Sequence, residues 1–478
     1  MKQAAIKFAA NSSPGERSQL SGARLINAIV EKLGTEQVIV KRAPGLKKYS
    51  TSIGSFSHCR GIVEVNDTTA LIVYNEYVER VSISTGSPVH TIMGLLPGSD
   101  LVTVVKNNAA TPDIVCVSPI SGPYVLSTTG APSGYPDADV EFPNSVCFLD
   151  GYFFFGYRVG KCIASGLNST SINPLDVALM ESNSGGIFRV LPFNESLYMC
   201  GPDGMEQWVG SPPNPTGFPF NRAAVIPSGI VGTYAIAGFE SGFTKSLLYV
   251  GTTNMVYQLN GVTPVRISTH DVERDIQNLA DKSTIRCFVA MNNGHAFWVM
   301  KSPEWTWVYD LLTSSWQERQ SYGSTTWRAE MSARVFGDWL LGDGENGKLY
   351  RLDNMTYAED TLPLVYDVTS LPVDEFPQRQ TVARADFALA PGTGQADGAT
   401  DQVIDPSAWI SWSDDSGATY GTPVERKIGQ QGAYAKRIYI NRCGRTKALG
   451  RQWNIKVSDP VYAGIQGGVM QDTVQAMF

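Results

Sequence analysis

The sequence predicts an all-β protein built around a β-propeller, with a smaller β-sandwich-like domain after it. Three observations carry this: a hairpin pattern that recurs seven times, 46 Gly and 27 Pro in 478 residues, and a near absence of long helical periodicity. The recurring segments are ALIVYNEYVERVSIS from Ala70, DIVCVSPISGPYVLS from Asp113, YFFFGYRVGKCIASG from Tyr152, SLYMCGPDGMEQWVG from Ser196, SLLYVGTTNMVYQLN from Ser246, HAFWVMKSPEWTWVYD from His295 and DWLLGDGENGKLYRLD from Asp338. Their starts lie 43, 39, 44, 50, 49 and 43 residues apart. A period of about 45 residues with two strongly apolar strands per unit is the pattern of four-stranded propeller blades. Runs such as Phe153-Phe154-Phe155 fit strands buried on both faces between neighbouring blades. Seven blades are expected, with six blades and a stray hairpin, or a sandwich with regularly spaced hairpins, as alternatives.

Three regions follow. Residues 1–45 form an N-terminal arm and strand that joins the platform, 46–359 the propeller, and 360–478 the platform domain. Within the arm, ARLINAIVEKLG from Ala23 fits a short amphipathic helix or a strand, and periodicity does not choose between them. In the platform, a Gly-rich loop at 391–400 precedes alternating strands from Ala408 to Ile428 and from Tyr434 to Ser458.

Composition narrows the function. Only 17% of residues are charged, against about 25% in average soluble chains, which suits a surface covered by other subunits. The net charge of −7 argues against a surface made to grip nucleic acid. No run approaches the roughly 20 apolar residues of a membrane-spanning helix, and the start of the chain lacks a secretory signal, so no membrane anchor is expected. The seven cysteines are odd in number and set among apolar residues, which reads as reduced core thiols rather than a disulfide or zinc framework.

Chemistry-bearing motifs are sparse. His58, His90, His270 and His295 are scattered, with no metal-ligand spacing, and His270-Asp271 and His58-Cys59 would diverge on a strand. No nucleophile elbow, phosphate loop or dinucleotide fingerprint occurs. Asp310, Asp338, Asp343 and Asp353 cluster around the last blades. As a carboxylate pair they would suit a glycosidase, the alternative function being a glycan-active propeller; as strand-end residues they cap turns. Ser413-Asp414-Asp415-Ser416-Gly417-Ala418-Thr419-Tyr420 resembles an Asp box, a turn motif without chemistry. Between Arg426 and Lys456 stand nine basic residues and no acidic one: Arg426, Lys427, Lys436, Arg437, Arg442, Arg445, Lys447, Arg451 and Lys456. The first eight are the candidate subunit or partner interface. The other readings are a basic face neutralised by acidic loops of the same domain, and a DNA contact.

In several stretches along its length the chain resembles the tail hub, or nozzle, proteins of short-tailed phages, the packaged-DNA stabilisation proteins. The likeness lies in Ala23–Ala28, Lys41–Leu46, GIFRVLPFNESLYMCGPDGMEQWV (186–209), residues 229–276, WTWVYDLLTSSWQER (305–319), residues 327–353, SWSDDSGATYG and RIYINRCGR. It is poor over 80–140 and in the Gly-rich loop. The resemblance implies that ARLINAIVEKLG is a strand. It also implies a non-enzymatic, cofactor-free hexamer in the virion tail, made in the host cytoplasm. Its implied partners are an adaptor ring above, tail fibres or tailspikes, a needle or plug, and packaged DNA that passes through the lumen without sequence-specific binding.

Overall fold

The computed structural model describes residues 2–15, 22–33, 37–83, 86–182, 185–210, 217–374, 379–395, 401–447 and 450–472. Seven four-stranded antiparallel blades make up the propeller. The first comprises Cys59–Asn66, Thr69–Tyr74, Tyr77–Ile83 and Pro88–Leu95. Four more follow over 103–134, 145–179, 189–226 and 236–266, and the sixth over 286–318. Each recurring hairpin is the second and third strand of a blade. These middle strands pack against the blades on both sides, and Ser196–Cys200 and Thr306–Asp310 are buried along their whole length. The first strands line the axis, and the fourth form the rim, where Pro88–Leu95 has no fully buried residue.

The seventh blade is composite. Ala329–Val335, Asp338–Asp343 and Lys348–Asp353 supply three strands, and Gly45–Thr51 from the other end of the chain supplies the fourth, with Gly45 opposite Asp353 and Thr51 opposite Lys348. Gly45 is required there, because a Cβ would lie 2.2 Å from the Thr356 carbonyl oxygen. Leu46 beside it is fully buried among Tyr350, Leu341 and Trp327.

The platform is a two-sheet sandwich. One sheet runs Ala28–Leu33, Gln37–Arg42, Gly464–Asp472, Val382–Leu389 and Ile438–Asn441, with Lys2–Ile6 also paired to Gly464–Asp472. The other continues the sixth blade outward: Ser315–Glu318 pairs with Leu25–Ile26, followed by Tyr366–Thr369, Gln452–Val457, Ser407–Ser413 and Val424–Lys427. Nine strands thus run unbroken from the propeller axis into the platform. Between the two sheets, Trp453 packs edge-on to Phe387 (5.2 Å) and against Trp412 (5.3 Å).

ARLINAIVEKLG is therefore strand, in two pieces. Asn27 takes φ 51° between Leu25–Ile26 and Ala28–Leu33, so one segment serves both sheets. Its side-chain amide donates to the carbonyls of Gln320 and Val365 (both 2.9 Å) and fixes the break. His270–Asp271, expected on a strand, opens the helix His270–Asn278; Val272 and Ile276, one turn apart, bury against the fifth and sixth blades. Within the Gly-rich 391–400 loop, residues 396–400 lie outside the described residues. No helix among the described residues is long and apolar enough to cross a membrane.

Truncating Leu46 tests the composite blade. Leu46→Ala is expected to cost about 2–5 kcal/mol, the range for a fully buried leucine that leaves a cavity. Urea denaturation followed by tryptophan fluorescence measures it.

Candidate functional site

The basic stretch falls on the open edge of the sandwich. Val424–Lys427 and Ile438–Asn441 are the last strands of their respective sheets and lie side by side, joined by the Arg426 Nε donating to the Tyr439 carbonyl (2.8 Å). Several of the cations are neutralised within the domain. Lys427 meets Glu425 (3.2 Å) and Ser407 Oγ (2.9 Å), Lys436 meets Asp405 (3.5 Å), and Lys456 meets Asp367 (2.8 Å). Arg437, Arg442, Arg445 and Lys447 are exposed and make no ion pair among the described residues. These four form the free positive surface of the edge.

Arg451 does not belong to that surface. Expected at an interface, it is fully buried, with Nε and Nη2 donating to the two oxygens of Asp414 (2.7 and 3.0 Å) and its guanidinium 5.4 Å from the rings of both Trp412 and Trp453. An arginine can enter a core when a bidentate carboxylate and aromatic faces replace its water. Asp414 begins the Asp-box-like turn. There Asp415 accepts from the Thr419 amide (2.8 Å) and hydroxyl (2.5 Å) and from Ser413 Oγ (2.7 Å), which hold its carboxyl well below the usual range. The motif is a closed turn.

The carboxylates considered for glycan chemistry are engaged elsewhere. Asp310 is buried against His295 Nδ1 (2.7 Å) and Thr313 Oγ1 (3.0 Å), and Asp343 is buried against Arg328 (2.6 Å). Asp353 caps Met355 N (2.9 Å), and Asp338 faces Arg351 (3.5 Å). None of the four lines the axial cavity. His90 pairs with Glu79 (2.8 Å), and His270 is exposed at the start of its helix. Among the described residues, no cluster of His, Cys, Asp or Glu could hold a metal ion.

The axial cavity encloses about 1360 Å3 and is lined by the first strands of all seven blades. Arg60, Arg189 and Arg286 stand at the starts of the strands of blades one, four and six, and Glu330 at the start of blade seven. Sequence reasoning missed these residues: no shared motif marks the first strands, and nothing local ties a charge in one of them to a charge in another. Glu330 accepts from Lys301 (2.9 Å) and pairs with Arg286, while His58 lies 3.9 Å away.

Two measurements follow. Arg451→Ala leaves Asp414 without its partner and is expected to cost about 2–4 kcal/mol, whereas Arg437→Ala stays within about 0.5 kcal/mol, both read from urea midpoints. At the axial cluster, burial and then the charges of Arg286, Arg60 and Lys301 pull His58 from its ordinary 6.5 down to about 4. Between those values the unfolded chain binds a proton that the folded chain refuses. Stability therefore falls as pH drops from about 6.5 towards about 4, and His58→Gln flattens that part of a stability-against-pH curve.

Two family models match, one described as the β-propeller of bacteriophage P22 Gp10 over residues 25–357 and one as its β-sandwich over 376–471. No match to a curated protein was found. Among solved structures, the WD40 β-propeller domain of Doa1 is similar at 12% identity and TM-score 0.38, over 64% of this chain and 97% of that one. PorZ of Porphyromonas gingivalis is similar at 11% identity and TM-score 0.38, over 79% and 46%. Likenesses at that TM-score carry no argument. The family matches span the axial blades and the sandwich alike, so the chain belongs to the bacteriophage P22 Gp10 family, the tail hub or nozzle proteins of short-tailed phages.

Proposed function

We propose that this tail hub protein acts as a non-enzymatic ring of six copies below the adaptor, retaining packaged DNA and conducting it at ejection. The observation that carries the reading is the family match across both the propeller and the sandwich. The continuous nine-stranded sheet supports it, since a propeller fused to its platform through main-chain hydrogen bonds acts as a rigid buttress. So does the charge: six copies at −7 each carry −42, which lets DNA slide past rather than bind.

In this arrangement the platform forms the tube, and the propeller stands outside it. Arg437, Arg442, Arg445 and Lys447, with Arg426, Lys427 and Lys436 beside them, meet an acidic surface of a neighbouring subunit or partner. Fibres or tailspikes and the needle or plug dock on other faces, and the protein resides in the virion tail after synthesis in the host cytoplasm.

Mass measurement by light scattering tests the assembly, alone and with portal and adaptor. Six chains of 51.9 kDa give about 311 kDa per ring. A 51.9 kDa monomer under both conditions would overturn the reading.

A further inference from the structure

One end of the propeller axis is barred by a single side chain. Tyr234 enters from the fifth blade, and its hydroxyl donates to the Leu101 carbonyl at the start of the second blade (2.5 Å). In a ring of seven, those blades stand almost opposite each other, so the phenol crosses the axis. The bar is held along its length: Asn144 Nδ2 of the third blade donates to Thr233 Oγ1 (3.1 Å), and Cys287 N of the sixth donates to the Tyr234 carbonyl (2.7 Å). The cavity is therefore a well open at the other end, and no strand of nucleic acid threads it.

Arg60, Arg189, Arg286 and Glu330 stand on the cavity wall near the barred end, with Asp100 and Lys301 paired behind them. Arg60 is spent: Asp100 lies at 3.2 Å, and four main-chain carbonyls take its other N–H groups. Arg286 and Lys301 share the one carboxylate of Glu330. Arg189 has no carboxylate within ion-pair distance among the described residues. Its guanidinium lies near the rings of Tyr234 (5.2 Å) and Phe239 (5.4 Å), it makes one long bond to the Thr233 carbonyl (3.4 Å), and its buried Nε has no partner. Glu240, also on the cavity wall, is tied to Gly238 N (2.6 Å); burial pushes its carboxyl up, against the charge of Arg189 beyond ion-pair distance. Burial pulls Arg286 down, and burial and then the charge of Arg286 pull Lys301 to about 7 against the opposing charges of Asp343, Glu345 and Glu359.

We propose that the closed end of the axial well is an oxyanion site, in which Arg189 and Arg286, on either side of Tyr234, bind a small anion of the phosphate class. Guanidinium donors fixed against aromatic rings lose little freedom when they take up a tetrahedral oxyanion. The rings of Tyr234 and Phe239 beside the guanidinium lower the local polarity around it, which strengthens the attraction.

Titration calorimetry of the full-length protein with inorganic phosphate tests this. The expected result is saturable binding at one site per chain. Arg189→Gln should weaken it by about 10- to 100-fold, the loss of a charge-assisted contact, and Arg286→Gln should do the same, while Lys245→Gln at the open rim leaves it unchanged. A parallel arm with a deoxynucleoside monophosphate separates the sources: equal affinity assigns the site to free phosphate, and tighter binding assigns it to a nucleotide. Absence of saturable binding of both probes to the unmodified protein overturns the proposal. So does unchanged affinity in whichever arginine variant folds.

Discussion

The propeller depends on one antiparallel contact between segments about 300 residues apart, Gly45–Thr51 on Lys348–Asp353. Without it the seventh blade would end in a third strand with unpaired N–H and C=O groups. The first blade would also lose a neighbour, because the segment after the closing strand ties the two together. Ser52 Oγ donates to Glu79 of the first blade (2.6 Å), and Phe56 stacks between Tyr74 (5.6 Å) and Tyr77 (5.5 Å). Closing so long a loop is entropically slow, and the last contacts made must reward it.

Buried carboxylates do much of the pinning. Glu79, Glu206, Asp310, Asp343 and Glu359 are all fully buried, and each is met by hydroxyl, indole, imidazole or guanidinium donors. Glu359, for instance, accepts from Ser321 Oγ (2.6 Å) and Trp327 Nε1 (2.8 Å) where the seventh blade meets the platform. A carboxylate in such a place is costly unless every oxygen is satisfied. These groups therefore specify which turn meets which strand more than they add stability.

The blades were legible because their middle strands are buried on both faces, which forces long apolar runs such as Leu247–Val250. The first strands were not, since one face of each looks into a polar well; Arg189–Phe193 and Thr103–Lys106 carry no pattern that announces an axis. In the platform, the density of cations from Arg426 onward was plain, but their fates were not. Arg451 and Lys447 are both basic residues near the same turn, yet one fills a slot between indoles and the other faces solvent. Only the position of Asp414 and two tryptophans, brought together by strand pairing, separates them. Asn27 shows the same limit: nothing in Leu-Ile-Asn-Ala-Ile-Val says that one residue will turn left-handed and divide the strand between two sheets.

Lys2–Ile6 lies against Gly464–Asp472, the first strand described against the last. During synthesis Lys2–Ile6 must wait, unpaired, until the ribosome has delivered Gly464–Asp472. All seven blades, drawn from residues 45–353, can condense meanwhile, but the sandwich cannot. The nascent protein thus passes through an interval with a finished ring and an unfinished base, which is when a chaperone or an assembled neighbour would be of most use to it.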